Sequence, residues 1–474
     1  LTGGLLLAFP FLLPEITIIN LLLFFGPTLD FLPPAIQNTT AYSLMPQYFR
    51  CVNDYNTTHG YGAIPGYGTT ANPLSASRQP NAGASPPPPA WQGADGTGQT
   101  VGLLEFDTFQ LSDVSDYIRL MGLSPNTINN LSQVHVNGGA TPGSDQSEVL
   151  LNIANVMTGA PGAKIVVYDA PFTGPNTSFQ ALFNAMINGG VNIISNSWGY
   201  CEDQTTLADV QSIDTILQSA AASGISVFTA SGDTGSTCLN GSPNTATVPA
   251  SSPHITAVGG TSLTVGPGFT YVSETWWDGS SSTPPTGQGG FGVSRFFSRP
   301  SYQDGINPSA MRSLPDVSAN ADPAKGVFIC QASDGGCPTG KFYGGTSSSA
   351  PTWAAFAALL NQTQGSNLGF LNPLIYPFAN TDAFHNGASM GSDFAHVGLG
   401  SPNLALLHQR LTGQTTGPVS TAVSYVKAYL PTTYAVPDII NLPLPNFADG
   451  TSPSYIVVTL ADANGNVVAG KTVT

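Results

Sequence analysis

The chain has 474 residues, only 8% of them charged, and its 12 Lys and Arg against 27 Asp and Glu give a formal net charge of −15. This excludes a general nucleic-acid binder, which needs a basic face to neutralise phosphates. It also excludes ordinary disorder, because 41% of the residues are hydrophobic and so few charges cannot keep a chain expanded.

Residues 1–36 are strongly apolar, but Pro10, Pro14, Glu15, Asn20 and Pro27 break every run short of the roughly 18 residues that a membrane span needs. No Lys or Arg precedes Arg50 and the first residue is not Met, unlike a standard signal peptide. A truncated reading frame or a piece of a leader is expected. Residues 37–90 are rich in Gly, Asn, Tyr and Thr and close on ASPPPPA, whose prolines favour a stiff, extended linker. From residue 99 the character changes. GQTVGLLEFD reads as a buried strand and LSDVSDYIRLMGL as a helix. AKIVVYDAP, NIISNSWG, ISVFTASGD and ITAVGGTSL then read as strands between helical segments such as TLADVQSIDTILQSAAASG. Apolar strands alternating with amphipathic helices predict an α/β domain over 91–413, with a parallel sheet covered by helices on both faces. Active sites in such sheets gather at the carboxyl ends of strands, where SNSWG, SGDTG and GGTSSSAP fall. After about 414 the short β-type runs SYVKAYLP and SYIVVTLADANGNVVAG predict a partial immunoglobulin-like β-sandwich over 414–474.

Five cysteines stand at 51, 201, 238, 330 and 337. Cys330 and Cys337 bracket QASDGG, a loop that a short disulfide closes, while Cys201 and Cys238 each follow a strand end. Pairing of both couples, with Cys51 left over, would indicate an oxidising compartment; the alternative is five buried thiols. No C-x-x-C couple occurs, which disfavours zinc and thioredoxin-like readings. The low charge suits acid as well. Few cations and a Ser/Thr/Asn/Gly-rich surface avoid the repulsion and the lost salt bridges that follow when carboxylates protonate.

Three segments carry candidate chemistry. In GGTSSSAPTWAAFAALL, residues 344–360, a helix is predicted to start near 349, with Pro351 in its first turn and Ser347 just before it. Backbone N–H groups there would polarise an attacked carbonyl; the plain alternative is a Ser-rich cap. None of the six histidines lies in a Gly-flanked catalytic setting, so a His-dependent mechanism lacks its base. In residues 144–168, Val149, Leu150, Ile153, Val156 and Met157 form the buried stripe of a helix. Glu148, Asn152 and Asn155 share another face, with Glu148 and Asn152 as neighbours. Asp145-x-x-Glu148 also fits a capping box, which would make Glu148 structural. In residues 228–237, Asp233 sits in a Gly-flanked turn after an apolar strand, with an Asx-turn as the simpler reading.

Together these blocks resemble the sedolisins, serine-carboxyl peptidases of subtilisin-like fold. The resemblance runs from about 99 to about 405: LLEFD, SEVLLNI, APGAKIVVYDAP, SNSWG, SGDTGST, ITAVGGTSL, GGFGVSRFF with PSYQ, LPDVSANADP, GGTSSSAP and GLGSPN, in that order. It implies a three-layer subtilisin-like fold and an acid-acting, secreted, monomeric endopeptidase acting on proteins or peptides. Ser347 would be the nucleophile, Glu148 the general base and Asp233 the oxyanion donor. Glu105 would be an outer carboxylate beside Trp198, and Trp198 and Gly199 would hold substrate. A Glu base with an ordinary pKa near 4 accepts the Ser proton in acid, where His is already charged. An Asp donates to an oxyanion only while protonated.

Three departures qualify the resemblance. Position 152, where the family carries an Asp paired with the catalytic Glu, is Asn152. Its NH₂ can donate to a carboxylate but cannot relay a proton, which predicts reduced activity and a base that titrates lower; losing an orienting acid can cost about 10⁴ in rate. The family binds one Ca²⁺ late in the domain, but here Asn386 falls at the first Asp and only Asp393 matches a ligand, so calcium is doubtful. Residues 1–90 do not make a recognisable propeptide. The competing reading is a catalytically silent sedolisin-like module used for binding or display.

Overall fold

The computed structural model describes residues 94–413, apart from 240–241, 266–270 and 283–286, together with four short strands between 425 and 459. The 1–90 leader, with Cys51, lies outside the described residues. In chain order the elements that position the site are β1 (Thr100–Glu105), α1 (Leu111–Leu120), β2 (Leu131–His135), α2 (Gln146–Gly159), β3 (Lys164–Asp169) and α3 (Pro175–Asn188). They continue with β4 (Ile193–Asn196), α4 (Leu207–Ala222), β5 (Ser226–Ala230), β6 (Thr256–Val265), β7 (Tyr271–Trp276), β8 (Gly292–Ser298) and β9 (Met311–Leu314). Then come β10 (Val317–Asn320), α5 (Thr346–Gln364) and α6 (Leu404–Thr412).

The sheet has eight strands in the order β7-β6-β5-β4-β1-β3-β2, with β10 paired to β6. All pairs are parallel except β6 with β7. The strands are short and apolar because both faces are covered. Leu104, Ile194 and Val227 point to one face, against Phe179, Leu182, Phe183, Ile213 and Leu217 of α3 and α4. By the two-residue alternation of a strand, Phe228 faces the other way and stacks on Trp353 of α5. That second face carries α2 and α5, which pack on each other and on the sheet. Five alanines of α5, at 350, 354, 355, 357 and 358, are buried, and such small side chains let two helices and a sheet approach closely. The expected stripe on α2 is buried too, but so is Asn152 at 2% exposure. The polar face of α2 is therefore turned inward toward the end of β1 and the start of α5.

Disulfides join Cys201 to Cys238 and Cys330 to Cys337, with S–S distances of 2.08 and 2.00 Å. The alternative of buried thiols is set aside for these four. The strands Tyr425–Tyr429 and Tyr455–Thr459 pair, as do Thr433–Ala435 and Asn441–Pro443. These two separate pairs do not make the sandwich predicted over 414–474, and the remainder of that segment lies outside the described residues. Among the described residues, no helix is long and apolar enough to cross a membrane.

Candidate active site

Consecutive carboxyl ends of the sheet deliver the polar groups. Glu105 closes β1, Asn196 closes β4 with Ser197 and Trp198 following, and Asp233 lies three residues past β5. Opposite them, α2 presents Glu148 and Asn152, and α5 presents Ser347. The predicted start of α5 needs correction: the helix begins at Thr346, so Ser347 lies in its first turn and Pro351 sits inside the helix. The reason is a cap from elsewhere in the chain. Gly345 takes φ +86°, and a Cβ there would stand 2.5 Å from Asp233 Oδ2. Asp233 Oδ1 accepts the Thr346 backbone N–H at 2.7 Å and the Thr346 hydroxyl at 2.7 Å. A carboxylate at a helix N-terminus satisfies donors that have no intrahelical partner. The simpler Asx-turn reading of Asp233 is thereby replaced, since its carboxylate serves α5.

Pro351 has a second effect. Lacking an N–H, it cannot donate to the carbonyl four residues earlier, which is that of Ser347. Ser197 Oγ lies 3.3 Å from that freed oxygen and 3.0 Å from Asn152 Oδ1. Its single proton serves one of them at a time. Ser197 was legible only as part of SNSWG, without a role.

Glu148 and Asn152 form the next links. Asp145 makes no side-chain cap to α2, so the capping-box reading fails; the Glu148 carboxyl bonds Asn152 and lies close to the side chains of Ser347 and Ser197, which lower its pKa. Asn152 Nδ2 donates to Glu105 Oε1 at 2.8 Å and to Glu148 Oε1 at 3.4 Å. Trp198 Nε1 donates to Glu105 Oε2 at 2.9 Å. Both N–H bonds of the amide thus point at carboxyl oxygens, and Asn152 acts as a double donor between two glutamates. Asn155, one turn on, accepts from Ser348 and Thr352 hydroxyls at 3.2 and 3.4 Å, tying α2 to α5 beside the site. Gly199 continues from Trp198 into a short bridge of Tyr200–Cys201 with Thr247–Val248.

Burial governs the electrostatics. It pushes Glu148 up to about 7, opposed by the Ser347 hydrogen bond and reinforced by the negative charge of Asp233. The ordinary value near 4 expected for the base does not hold for this buried carboxyl, because desolvation disfavours its charged form. Burial likewise pushes Glu105 up to about 8, with the Glu148 charge adding to it. Asp233 is raised for the same first reason, against its bonds from Thr346.

Among the described residues, the histidines stand apart from this chain of contacts. His135 pairs with buried Asp169 at 2.8 Å and His254 with Asp214 at 2.9 Å. Asp393, the one expected metal ligand, caps the helical turn Phe394–Val397 and bonds His396 Nδ1 at 2.7 Å. The structure thus brings Ser347, Glu148, Asn152, Glu105, Trp198 and Asp233 together and leaves Asp393 with a different partner.

A model of the subtilase family matches residues 134–373. Kumamolisin of Bacillus sp. (strain MN-32) is 33% identical over 342 residues, 66% of this chain and 59% of the relative. Sedolisin of Pseudomonas sp. (strain 101) is 30% identical over 274 residues, 55% of this chain and 46% of the relative. The chain thus spans about half the length of the curated relatives it matches. Among solved structures, Pseudomonas sedolisin, a serine-carboxyl proteinase complexed with two molecules of pseudo-iodotyrostatin, aligns with a TM-score of 0.59 and 24% identity. That alignment covers 69% of this chain and 97% of the other, a likeness of fold. The chain belongs to the subtilase family, as a relative of its sedolisin- and kumamolisin-like serine-carboxyl peptidases.

Proposed function

We propose that the chain is a secreted, acid-acting serine-carboxyl endopeptidase that cleaves proteins or peptides through an acyl-enzyme. Glu148, as the carboxylate, takes the proton of Ser347 Oγ while that oxygen bonds to the substrate carbonyl carbon. The carbonyl oxygen gains negative charge and is met by a proton on Asp233 and by the backbone N–H of Ser347 in the first turn of α5. Glu148 then returns its proton to the leaving amine as the C–N bond breaks. Water repeats the sequence on the ester, with Glu148 again the base. Glu105 and Asn152 position Glu148, and Trp198 and Gly199 border the substrate. The observation that carries this reading is the Ser347 side chain standing near enough to the Glu148 carboxyl to lower its pKa, with the Asp233 carboxyl close enough to raise it. Two disulfides support an oxidising compartment and hence secretion, and a monomer is proposed.

Asn152 is the observation that favours the competing reading of a silent module, because an amide cannot pass a proton. Purified chain incubated with denatured protein at pH 3–5, beside Ser347→Ala, separates the two. Cleavage by the parent and a loss on the order of 10⁶ in the variant are expected. Equal, residual cleavage by both would sink the peptidase assignment.

A further inference from the structure

The loop from His385 to Gly400 is where relatives of this fold are expected to hold a calcium ion, and its oxygens here have other uses. Ca²⁺ needs six to eight oxygen ligands and carboxylate charge. Asn386 Oδ1 instead accepts the Ser389 N–H at 3.0 Å, and the Asn386 carbonyl accepts the Ser389 hydroxyl at 2.7 Å. The Gly387 carbonyl accepts the N–H groups of Met390 and Ser392 at 3.1 and 2.7 Å. Asp393 Oδ1 faces the backbone N–H and ring Nδ1 of His396 at 3.2 and 2.7 Å. The two arms of the loop also touch: a Cβ on Gly387 would lie 2.7 Å from the Asp393 carbonyl carbon. The named oxygens are already engaged, only one carboxylate stands here, and the two arms leave little space between them. The residues present do not fit calcium.

What closes the loop is an imidazole. The His396 ring centroid is 4.6 Å from that of Trp276 and 4.2 Å from that of Phe291, and these two aromatics contact each other edge-on at 5.6 Å. Phe291 ends a segment that follows the Asp233 turn, with Gln288, Gly290 and Phe291 N–H groups donating to the carbonyls of Asp233, Gly232 and Gly235 at 3.0, 2.7 and 3.1 Å. On its other side the loop holds β10: the Ser318 hydroxyl donates to the Val397 carbonyl at 2.9 Å. β10 in turn receives the Trp353 Nε1–H of α5 at 2.9 Å.

We propose that His396, fixed by Asp393 and packed against Trp276 and Phe291, is a metal-free clamp that secures this loop to the Asp233 turn, and that folding of this chain is independent of calcium. The proposal concerns stability and stands whether or not the chain proves to be a peptidase. Thermal melts of the whole purified chain test it, after exhaustive chelation and after addition of calcium chloride to about 10 mM, above the 10⁻⁴–10⁻³ M range of weak extracellular sites. The melting temperature is expected to be the same in both. His396→Ala is expected to melt about 2–4 °C lower, His396→Gln in between, and calcium is expected to restore neither. A rise of about 5 °C or more in the parent on adding calcium, or an unchanged melting temperature in His396→Ala, overturns the proposal. If neither variant folds, the parent's response to chelation and calcium decides it.

Discussion

Two carboxyl groups flank Ser347, and their surroundings differ. The Glu148 carboxyl, on α2, meets only side chains, those of Ser347, Ser197 and Asn152, all of which can turn. Asp233 is fixed through one oxygen by the backbone N–H and hydroxyl of Thr346, which leaves Oδ2 for a proton. Burial raises both, and the charge of Asp233 raises Glu148 further. Such a couple titrates jointly. While the couple holds one proton, the two carboxyls compete for it. The proposed chemistry needs that proton on Asp233 and absent from Glu148. Burial of Glu148 works against that placement, and the side chains that donate toward its carboxylate, Asn152 among them, work for it.

The largest break in this comparison is Glu148→Gln, which keeps the shape and removes the base. A loss of about 10⁶ in kcat is expected, with substrate binding little changed. Steady-state kinetics on a chromogenic peptide at pH 4 to 7 checks it. Asp233→Ala comes next, with an expected loss of about 10²–10³ in kcat, the usual effect of removing an oxyanion donor. Asp233→Asn separates the two roles of Asp233. Its amide oxygen can still accept from Thr346 while its NH₂ faces the oxyanion without titrating. It is expected to recover much of the loss and to remove the alkaline limb of the pH–rate profile. A limb that survives in Asp233→Asn would assign it to another group.

The same contrast explains what could be read from the sequence. The strands announced themselves because a sheet covered on both faces demands short apolar runs, and Glu105, Asn152, Trp198, Asp233 and Ser347 fall in blocks next to strand ends or on one helical face. Contacts that depend on backbone from distant parts of the chain did not show. The start of α5 was misjudged because Pro suggests a first turn, whereas Asp233, over a hundred residues earlier, supplies the cap. Ser197 was missed because its partner is a carbonyl freed by Pro351. The rise of Glu148 above the ordinary value near 4 was not legible, because a neighbour's charge is visible in sequence and desolvation is not. In the 385–400 loop, loss of the first expected carboxylate at Asn386 was legible, but the place of His396 between Trp276 and Phe291 was not.

Asn152→Asp sharpens the comparison from the other side. Asn152 gives one N–H to each of two glutamates, so it aligns Glu148 but cannot take or supply a proton. Because the alignment survives in the native chain, the penalty is smaller than for a lost orienting acid, and the substitution is expected to raise kcat/KM by about tenfold or more. An added carboxyl also raises Glu148 by like-charge repulsion, which moves the acid limb to higher pH. No gain at any pH would show that the amide is an adequate partner and that Asn152 does not limit the rate.

The smallest expected effect concerns stability. An acid whose pKa is raised on folding keeps its proton longer in the folded chain. The stabilisation is fully present below the unfolded value, near 4.5, and is lost as pH rises through the folded value. For Glu148 that window runs from about 4.5 to about 7 and for Glu105 from about 4.5 to about 8. Glu202 and Glu274, also raised chiefly by burial, act in the same direction. Each such group contributes at most about 1.4 kcal/mol for every pH unit inside its window. Urea denaturation midpoints are therefore expected to fall from pH 4.5 to 8, and Glu148→Gln is expected to make that fall shallower between pH 4.5 and 7. The glutamine buries no charge at any pH, so its advantage over the parent must grow as pH rises. A constant difference between the two chains across this range would mean that Glu148 titrates alike in the folded and unfolded states, and its burial would then not govern its proton.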